Sequence, residues 1–210
     1  MDVLDHGIDA AARGDFVAAI RACTEAIEAK QRLALAYRHR GHTYVRMGEL
    51  DRAIADLTTA IALDPKAANP FASRANAFLQ SGDYFRAISD STEAVRLDPS
   101  LTGAYVYRGD SYLQLGEWQQ AMADFTRAIN LGSDFLGCDS HSHSRRGYCF
   151  WQMGDHDSAM ADFTEAIRLD PNNAEALYYR GVGHQRIGET GKAEEDFAQA
   201  RKLGYKPNES

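Results

Sequence analysis

Residues 37–65 read YRHRGHTYVRMGELDRAIADLTTAIALDP. A helix-like segment precedes Gly48-Glu49 and another follows it. Gly48 can take the left-handed backbone conformation that ends a helix. Glu49 then stands at the start of the next helix, where exposed N–H groups and the helix dipole favour an acid. Pro65 stops the second helix and biases Asp64 away from helical geometry. The stretch is therefore expected to be a helix–turn–helix.

The same grammar runs through the chain. Gly followed by an acid recurs at Gly14, Gly48, Gly82, Gly116, Gly154 and Gly188, with spacings of 34, 34, 34, 38 and 34. Self-similarity at such a period marks a repeat architecture. Five residues after each glycine stands an alanine (Ala19, Ala53, Ala87, Ala121, Ala159, Ala193), and seven further on another (Ala26, Ala60, Ala94, Ala128, Ala166, Ala200). Seven residues before it stands a small residue: Gly7, Gly41, Ala75, Gly109, Gly147 or Gly181. Small residues on facing positions let two helices approach closely.

This pattern resembles the tetratricopeptide repeat (TPR), and the second repeat carries it in full as Tyr37, Gly41, Tyr44, Gly48, Ala53, Ala60 and Pro65. The resemblance implies an all-α, right-handed superhelical solenoid of helix–turn–helix repeats, each with an A and a B helix. The repeats fall at about 1–33, 34–67, 68–101, 102–135, 140–173 and 174–207, within one domain over 1–207 and with a tail at 208–210. One helix pair cannot bury its apolar face alone, so stacked pairs share a core. The longer spacing places a four-residue insertion at 136–139, which predicts a kink or wider gap between repeats four and five. In repeat six, Glu194 and Arg201 stand where earlier repeats are apolar, as suits a terminal cap.

Composition narrows the function. The chain has 210 residues, a net charge of −7 and 44% apolar residues, an ordinary globular balance. Non-specific nucleic-acid binding is not expected, because it needs clustered Lys and Arg. No apolar run reaches the roughly 18–20 residues that span a bilayer, and residues 1–15 lack an export signal. Three cysteines do not make a disulfide scaffold. The expected location is cytoplasmic.

Residues 137–150, GCDSHSHSRRGYCF, are the place to look for chemistry. Cys138, His141, His143 and Cys149 could be metal ligands, but they lack two tight ligand pairs at a zinc-finger spacing. His143 and Cys149 are instead in helix register, so no stoichiometric metal or other cofactor is expected. A Cys–His nucleophile pair would need an orienting third group, and none is nominated. Cys23 stands in the core register of Leu57, Phe125, Phe163 and Phe197. Arg and Asp recur sixteen apart as Arg40 and Asp56, Arg74 and Asp90, Arg108 and Asp124, Arg146 and Asp162, Arg180 and Asp196. A device present in five repeats is a brace between helices, not a catalytic pair. Repeat one has His6 and Ala22 there and should lack it. With no phosphate loop, nucleophile elbow or HExxH motif, the chain reads as a non-enzyme.

The TPR resemblance implies binding of a peptide-like segment of another protein in a concave groove lined by A helices. Carried onto this chain, the groove positions include Arg38, His39, His42 and Arg46 in repeat two, Asn76 in repeat three, and Tyr107 and Asp110 in repeat four. Repeat five adds Arg145, Tyr148 and Trp151, and repeat six adds Tyr178, Tyr179 and Arg186. Four arginines against Asp110 and Glu175 make this face locally positive. The Lys-Asn-Asn-Lys-Arg clamp of chaperone-binding relatives is absent. Its positions read Arg38, His42, Ser73, Gly103 and Tyr107 from repeat two, and Ala72, Asn76, Tyr107, His141 and Arg145 from repeat three. A protein-interaction scaffold is thus the expected function. The alternatives are a regulatory or targeting subunit of an enzyme complex, or a metal or redox sensor on residues 137–149. Self-association is left open.

Overall fold

The computed structural model describes residues 2–132 and 138–206. Among them are twelve α-helices and no strand. The helices are α1 (Val3–Ala12), α2 (Phe16–Glu28), α3 (Leu33–Met47), α4 (Leu50–Leu63), α5 (Ala68–Gln80) and α6 (Tyr84–Leu97), followed by α7 (Thr102–Gln114), α8 (Trp118–Leu131), α9 (Cys138–Gln152), α10 (His156–Leu169), α11 (Ala174–Arg186) and α12 (Thr190–Lys202). The fold is all-α, as expected, and twelve helices fit six helix–turn–helix repeats. It divides into two compact units, residues 1–111 and 112–210, with the division inside α7. In unit one, each helix from α1 to α6 packs on the next, and the A helices α1, α3 and α5 also touch in sequence. In unit two, α8 to α12 pack successively, and α9 touches α11.

The turns follow from two local devices. The six glycines before the B helices all adopt positive φ, from 76° to 84°, where a side chain would be strained. The acid after them does two different jobs. Asp15, Asp83 and Asp155 accept the N–H of Ala18, Arg86 and Ser158 as true N-caps. Glu49, Glu117 and Glu189 make no such bond, since their longer side chains overshoot it. At the other end of the hairpin, Asp64, Asp98 and Asp170 accept the N–H two residues on, from Lys66, Ser100 and Asn172. The aspartate therefore shapes the turn together with the proline that follows it.

The core is a seam of small residues meeting large ones. Ala53, Ala60, Ala87, Ala94, Ala159 and Ala166 have no exposed surface. The size of the A-helix residue is matched to the B-helix residue it faces. A methyl on Gly41 would come within 2.7 Å of Leu57 Cγ, on Gly147 within 2.9 Å of Phe163 Cε1, and on Gly181 within 2.8 Å of Phe197 Cε1. Where repeat three carries Ala75 instead of Gly, its register partner is the small, fully buried Ser91.

Four of the expected braces are bidentate ion pairs within a hairpin. Arg40 Nε and Nη2 lie 2.7 and 2.9 Å from the Asp56 carboxylate, and Arg74, Arg146 and Arg180 hold Asp90, Asp162 and Asp196 in the same way. The fifth pair, Arg108 and Asp124, belongs to two different units. The arginine also reaches the preceding B helix. Nη1 of Arg40, Arg74, Arg108 and Arg146 donates to Thr24, Thr58, Thr92 and Thr126. One guanidinium thus ties its own hairpin to the hairpin before it. In repeat one the tie is different: Arg32 reaches back to Asp2, the N-cap of α1, and to Asp5 within it.

The expected wider gap after repeat four is not found at the described residues. Helix α8 packs directly on α9, with Ala121 and Phe125 in one cluster with Cys149 and Tyr148. Of the inserted positions, 136 and 137 lie outside the described residues. Cys138 and Asp139 form the first turn of α9. Lengthening a helix at its start leaves the phase of every later residue unchanged, so Gly147 and Cys149 keep their places in the core.

Candidate functional site

The A-helix side chains expected to meet a partner fall into two sets, one in each unit. In unit one, Arg38 and His39 are half-buried on α3, with Arg38 Nη2 2.8 Å from His39 Nε2. A guanidinium can only donate, so His39 Nε2 accepts and the ring is neutral. Burial first, then the charges of Arg38, His42 and Arg32, push the His39 pKa down to about 4. His42, one turn on, is exposed, and its Nδ1 lies 3.4 Å from Ser73 Oγ on α5. Asn76, also on α5, accepts from Gln80 Nε2. Tyr107 and Asp110 are half-buried on α7. Arg46 is placed differently from expectation: its Nη1 donates to the Ala11 carbonyl at 2.8 Å, and its guanidinium lies 4.7 Å from the Phe16 ring centroid. It caps α1, since the last carbonyls of a helix attract a cation.

The neutral state of His39 has a measurable consequence. Between about pH 6.5 and pH 4 the unfolded chain protonates this imidazole while the folded chain resists. Its stabilising contribution is complete above pH 6.5 and is lost as the pH falls towards 4. Denaturant unfolding at pH 7 and pH 4 is expected to show a loss roughly 2–3 kcal/mol larger for the wild type than for His39→Gln. Equal losses in the two proteins would disprove the assignment.

In unit two the site is aromatic. Trp118 at the start of α8 meets Tyr148 of α9 edge-on at 6.0 Å, and Tyr148 meets Tyr179 of α11 at 5.1 Å. Tyr179 meets Tyr178 at 5.3 Å and stacks on Phe163 at 5.7 Å. Tyr178 in turn meets Tyr205, beyond α12, at 4.9 Å. Burial and the neighbouring Tyr205 and Tyr148 raise the Tyr179 hydroxyl above the ordinary tyrosine range. Trp151 lies 4.5 Å from His156 and packs partly on the α10 core, so it is less separate from folding than its A-helix position implies. Arg186 is exposed at the end of α11.

One of the cations counted towards a positive face is already paired. In unit two, Arg145 Nη1 binds Glu175 at 2.7 Å, so the two charges offset each other. Sequence reasoning missed Trp118 and Tyr205. Trp118 sits at the B-helix start, outside the A-helix positions considered. Tyr205 occupies the place where other repeats have Pro65, Pro99 or Pro171, and nothing in that register announces a ring that folds back on α11.

The histidine- and cysteine-rich stretch is drawn into the scaffold. His143 Nδ1 lies 2.9 Å from Asp162 and joins the Arg146 brace within its own hairpin. His141 sets its ring edge-on to Phe125, and Cys149 is fully buried. Cys23 is likewise buried in the first hairpin, and burial pushes its thiol up to about 11, away from the reactive thiolate. Among the described residues, no three His, Cys, Asp or Glu side chains gather as a metal site. No described helix is long and apolar enough to cross a membrane.

Family models for the TPR repeat match residues 41–82, and for the tetratricopeptide repeat residues 72–134 and 141–173. The chain belongs to the tetratricopeptide repeat family. No curated protein matches it. Among solved structures, this TPR chain is similar to the APC/C hetero-tetramer Cut9-Hcn1, with a TM-score of 0.86, 18% identity, and 99% of this chain covering 40% of that one. It is also similar to YrrB, described as a TPR protein with an unusual peptide-binding site (TM-score 0.66, 24% identity, 89% of this chain and 93% of that one). A thermophilic TPR protein of Thermus thermophilus, TTC0263, matches with a TM-score of 0.67 and 21% identity over 86% of this chain and 96% of that one. At these identities the likeness establishes the TPR fold.

Proposed function

We propose that this TPR chain is a non-catalytic, cytoplasmic interaction scaffold that holds a peptide-like segment of another protein against its A helices. The aromatic ladder of unit two is the observation that carries this reading. Trp118, Tyr148, Tyr178 and Tyr179 are all half-exposed, adjacent and already ordered by one another. Rigid rings with an apolar face and a polar tip supply contact area at little entropic cost, and such residues dominate binding hot spots. Tyr205 belongs to the same surface, so a partner either packs beside it or displaces it.

The rival surface is the B-helix end of repeat three. Phe85 is 76% exposed there, beside an open cleft of about 670 Å³ lined also by Asp51, Ile54 and Arg86. The test uses the full chain as bait for a partner in lysate of the native host, followed by affinity measurements on variants. Tyr148→Ala, in the ladder, and Trp151→Ala, one turn on along α9, are each expected to weaken the captured complex by roughly 2 kcal/mol or more, about thirtyfold. Phe85→Ala is expected to leave it within about twofold. Melting curves separate the binding loss from the stability that Trp151 also supplies through α10. Retained affinity in Trp151→Ala with loss in Phe85→Ala would move the site to the B-helix side.

A further inference from the structure

Among the described residues of unit one, a half-buried cation, Arg38, has no carboxylate partner. Arg40 and Arg74 each clasp a buried aspartate, whereas Arg38, on the same helix as Arg40, contacts only the imidazole of His39. Burial alone acts on the Arg38 guanidinium, lowering its pKa with no acid to restore it. The groups that act on His39 are Arg38, His42 and Arg32, and those that act on His42 are Arg46 and Arg38: none of them is an acid.

Among the described residues, no acid of the helices packed on α3 acts on Arg38, His39 or His42. Asp2 and Asp5 at the start of α1 are engaged by Arg32, Asp56 of α4 is engaged by Arg40, α2 presents Thr24 to Arg40, and α5 presents Ser73. A half-buried guanidinium left uncompensated in the folded chain costs stability. It is relieved when an anion arrives.

We propose that α3 and α5 form a site for a phosphate monoester dianion carried by a partner segment, held by Arg38, His39, His42 and Ser73. The choice of a phosphoryl group over a carboxylate follows from the donors: four side chains can each supply one, and three acceptor oxygens use more of them than two. At neutral pH the site offers one permanent charge, on Arg38, beside imidazoles that are neutral. A carboxylate is balanced by Arg38 alone. A phosphoryl group, close to doubly charged at pH 7, leaves one negative charge over and presents three acceptor oxygens. When Arg38 turns from His39 to the phosphoryl oxygens, His39 Nε2 is released. It can then take a proton from solvent and donate to the same group, with the exposed His42 and the Ser73 hydroxyl adding donors. Binding is therefore accompanied by proton uptake and strengthens as the pH falls from 8 towards 6, as long as the ligand keeps its second charge. The source of the phosphate rests on the scaffold reading above. The site itself does not.

The test is an NMR titration of the imidazole resonances in the full chain, with three probes at equal ionic strength. These are inorganic phosphate, N-acetyl-O-phosphoserine methylamide and acetate. Phosphate and the blocked phosphoserine are expected to raise the His39 pKa from about 4 by two units or more, and that of His42 in the same direction. Acetate is expected to move neither. Arg38→Gln should weaken phosphate binding about tenfold or more, while Arg38→Lys, which keeps the charge, should retain most of it. Should the Gln variant fail to fold, His42→Gln on the exposed surface is expected to reduce the proton uptake measured calorimetrically in two buffers. An equal response to acetate, or an unchanged response in the Arg38 and His42 variants, overturns the dianion site. A response to inorganic phosphate alone overturns its assignment to a partner-borne ester. Neither result touches the Trp151 comparison, and failure of that comparison leaves the phosphate titration standing.

Discussion

Gly147→Leu is expected to unfold the α9–α10 hairpin. A single methyl at this position already comes within 2.9 and 3.0 Å of the Phe163 ring and 3.1 Å of Asp162 Cβ. The ring is fully buried, so it has nowhere to move. Overpacking by one or two methylenes costs about 1–3 kcal/mol where a core can adjust. A leucine adds four carbons against a ring and a brace, so the hairpin must separate. Repeat arrays are stabilised by neighbour interfaces, and the damage should spread along α8 to α11 before it reaches the first repeats. Amide hydrogen exchange reads this directly, as lost protection in residues 138–169 with α3 and α4 retained. A control isolates the cause. Gly147→Ala should cost about 1–3 kcal/mol in the wild type and nothing in a Phe163→Ser background, which reproduces the Ala75 and Ser91 pairing of repeat three. Additive effects in that cycle would show that the glycine serves something other than the close approach.

Asp162→Ala is expected to cost about 3 kcal/mol, because it leaves a half-buried guanidinium without its partner. Arg146 would lose both bonds to the carboxylate, at 2.8 Å each, and His143 would lose its 2.9 Å partner. The same carboxylate fixes the guanidinium that reaches Thr126 on α8, so the junction with the preceding hairpin weakens as well. The arginine and His143 act together to hold the Asp162 carboxyl below the usual range despite its burial. That part of the stability is present above about pH 4 and is lost as the pH falls further. Denaturant unfolding of Asp162→Ala and of the double variant Asp162→Ala, Arg146→Met measures the effect. The double variant should recover part of the loss, since an apolar stem replaces an orphaned charge. A single variant within about 1 kcal/mol of wild type would show that the brace is a surface ion pair of little weight.

These effects were legible at different depths. The period, the turn glycines and the alanine seam are local, and each repeat states them again, so six copies leave little ambiguity about the helices. The Arg–Asp braces were visible because they recur at a constant interval. Thr24, Thr58 and Thr92 recur just as regularly, sixteen residues before the arginine, but a threonine beside a core position carries no sequence signal of a long-range bond. The match of Gly41 with Leu57 and Ala75 with Ser91 was likewise written in the chain, and it becomes a size rule only once the helices are seen to touch.

The candidate site was less legible. A-helix position selects the side chains on one face but says nothing about which of them are already engaged. Arg46 and Arg145 read as available cations, and each proves to be held, by the Ala11 carbonyl and by Glu175. Arg38 reads the same way in sequence, yet it meets an imidazole where its neighbours meet aspartate. By itself the sequence determined the fold class, the turns and the braces, because these rest on backbone conformations and on residue intervals that repeat. Only the tertiary structure decided where charge is left uncompensated and where rings form a continuous surface, because both depend on side chains from different helices arriving at one place.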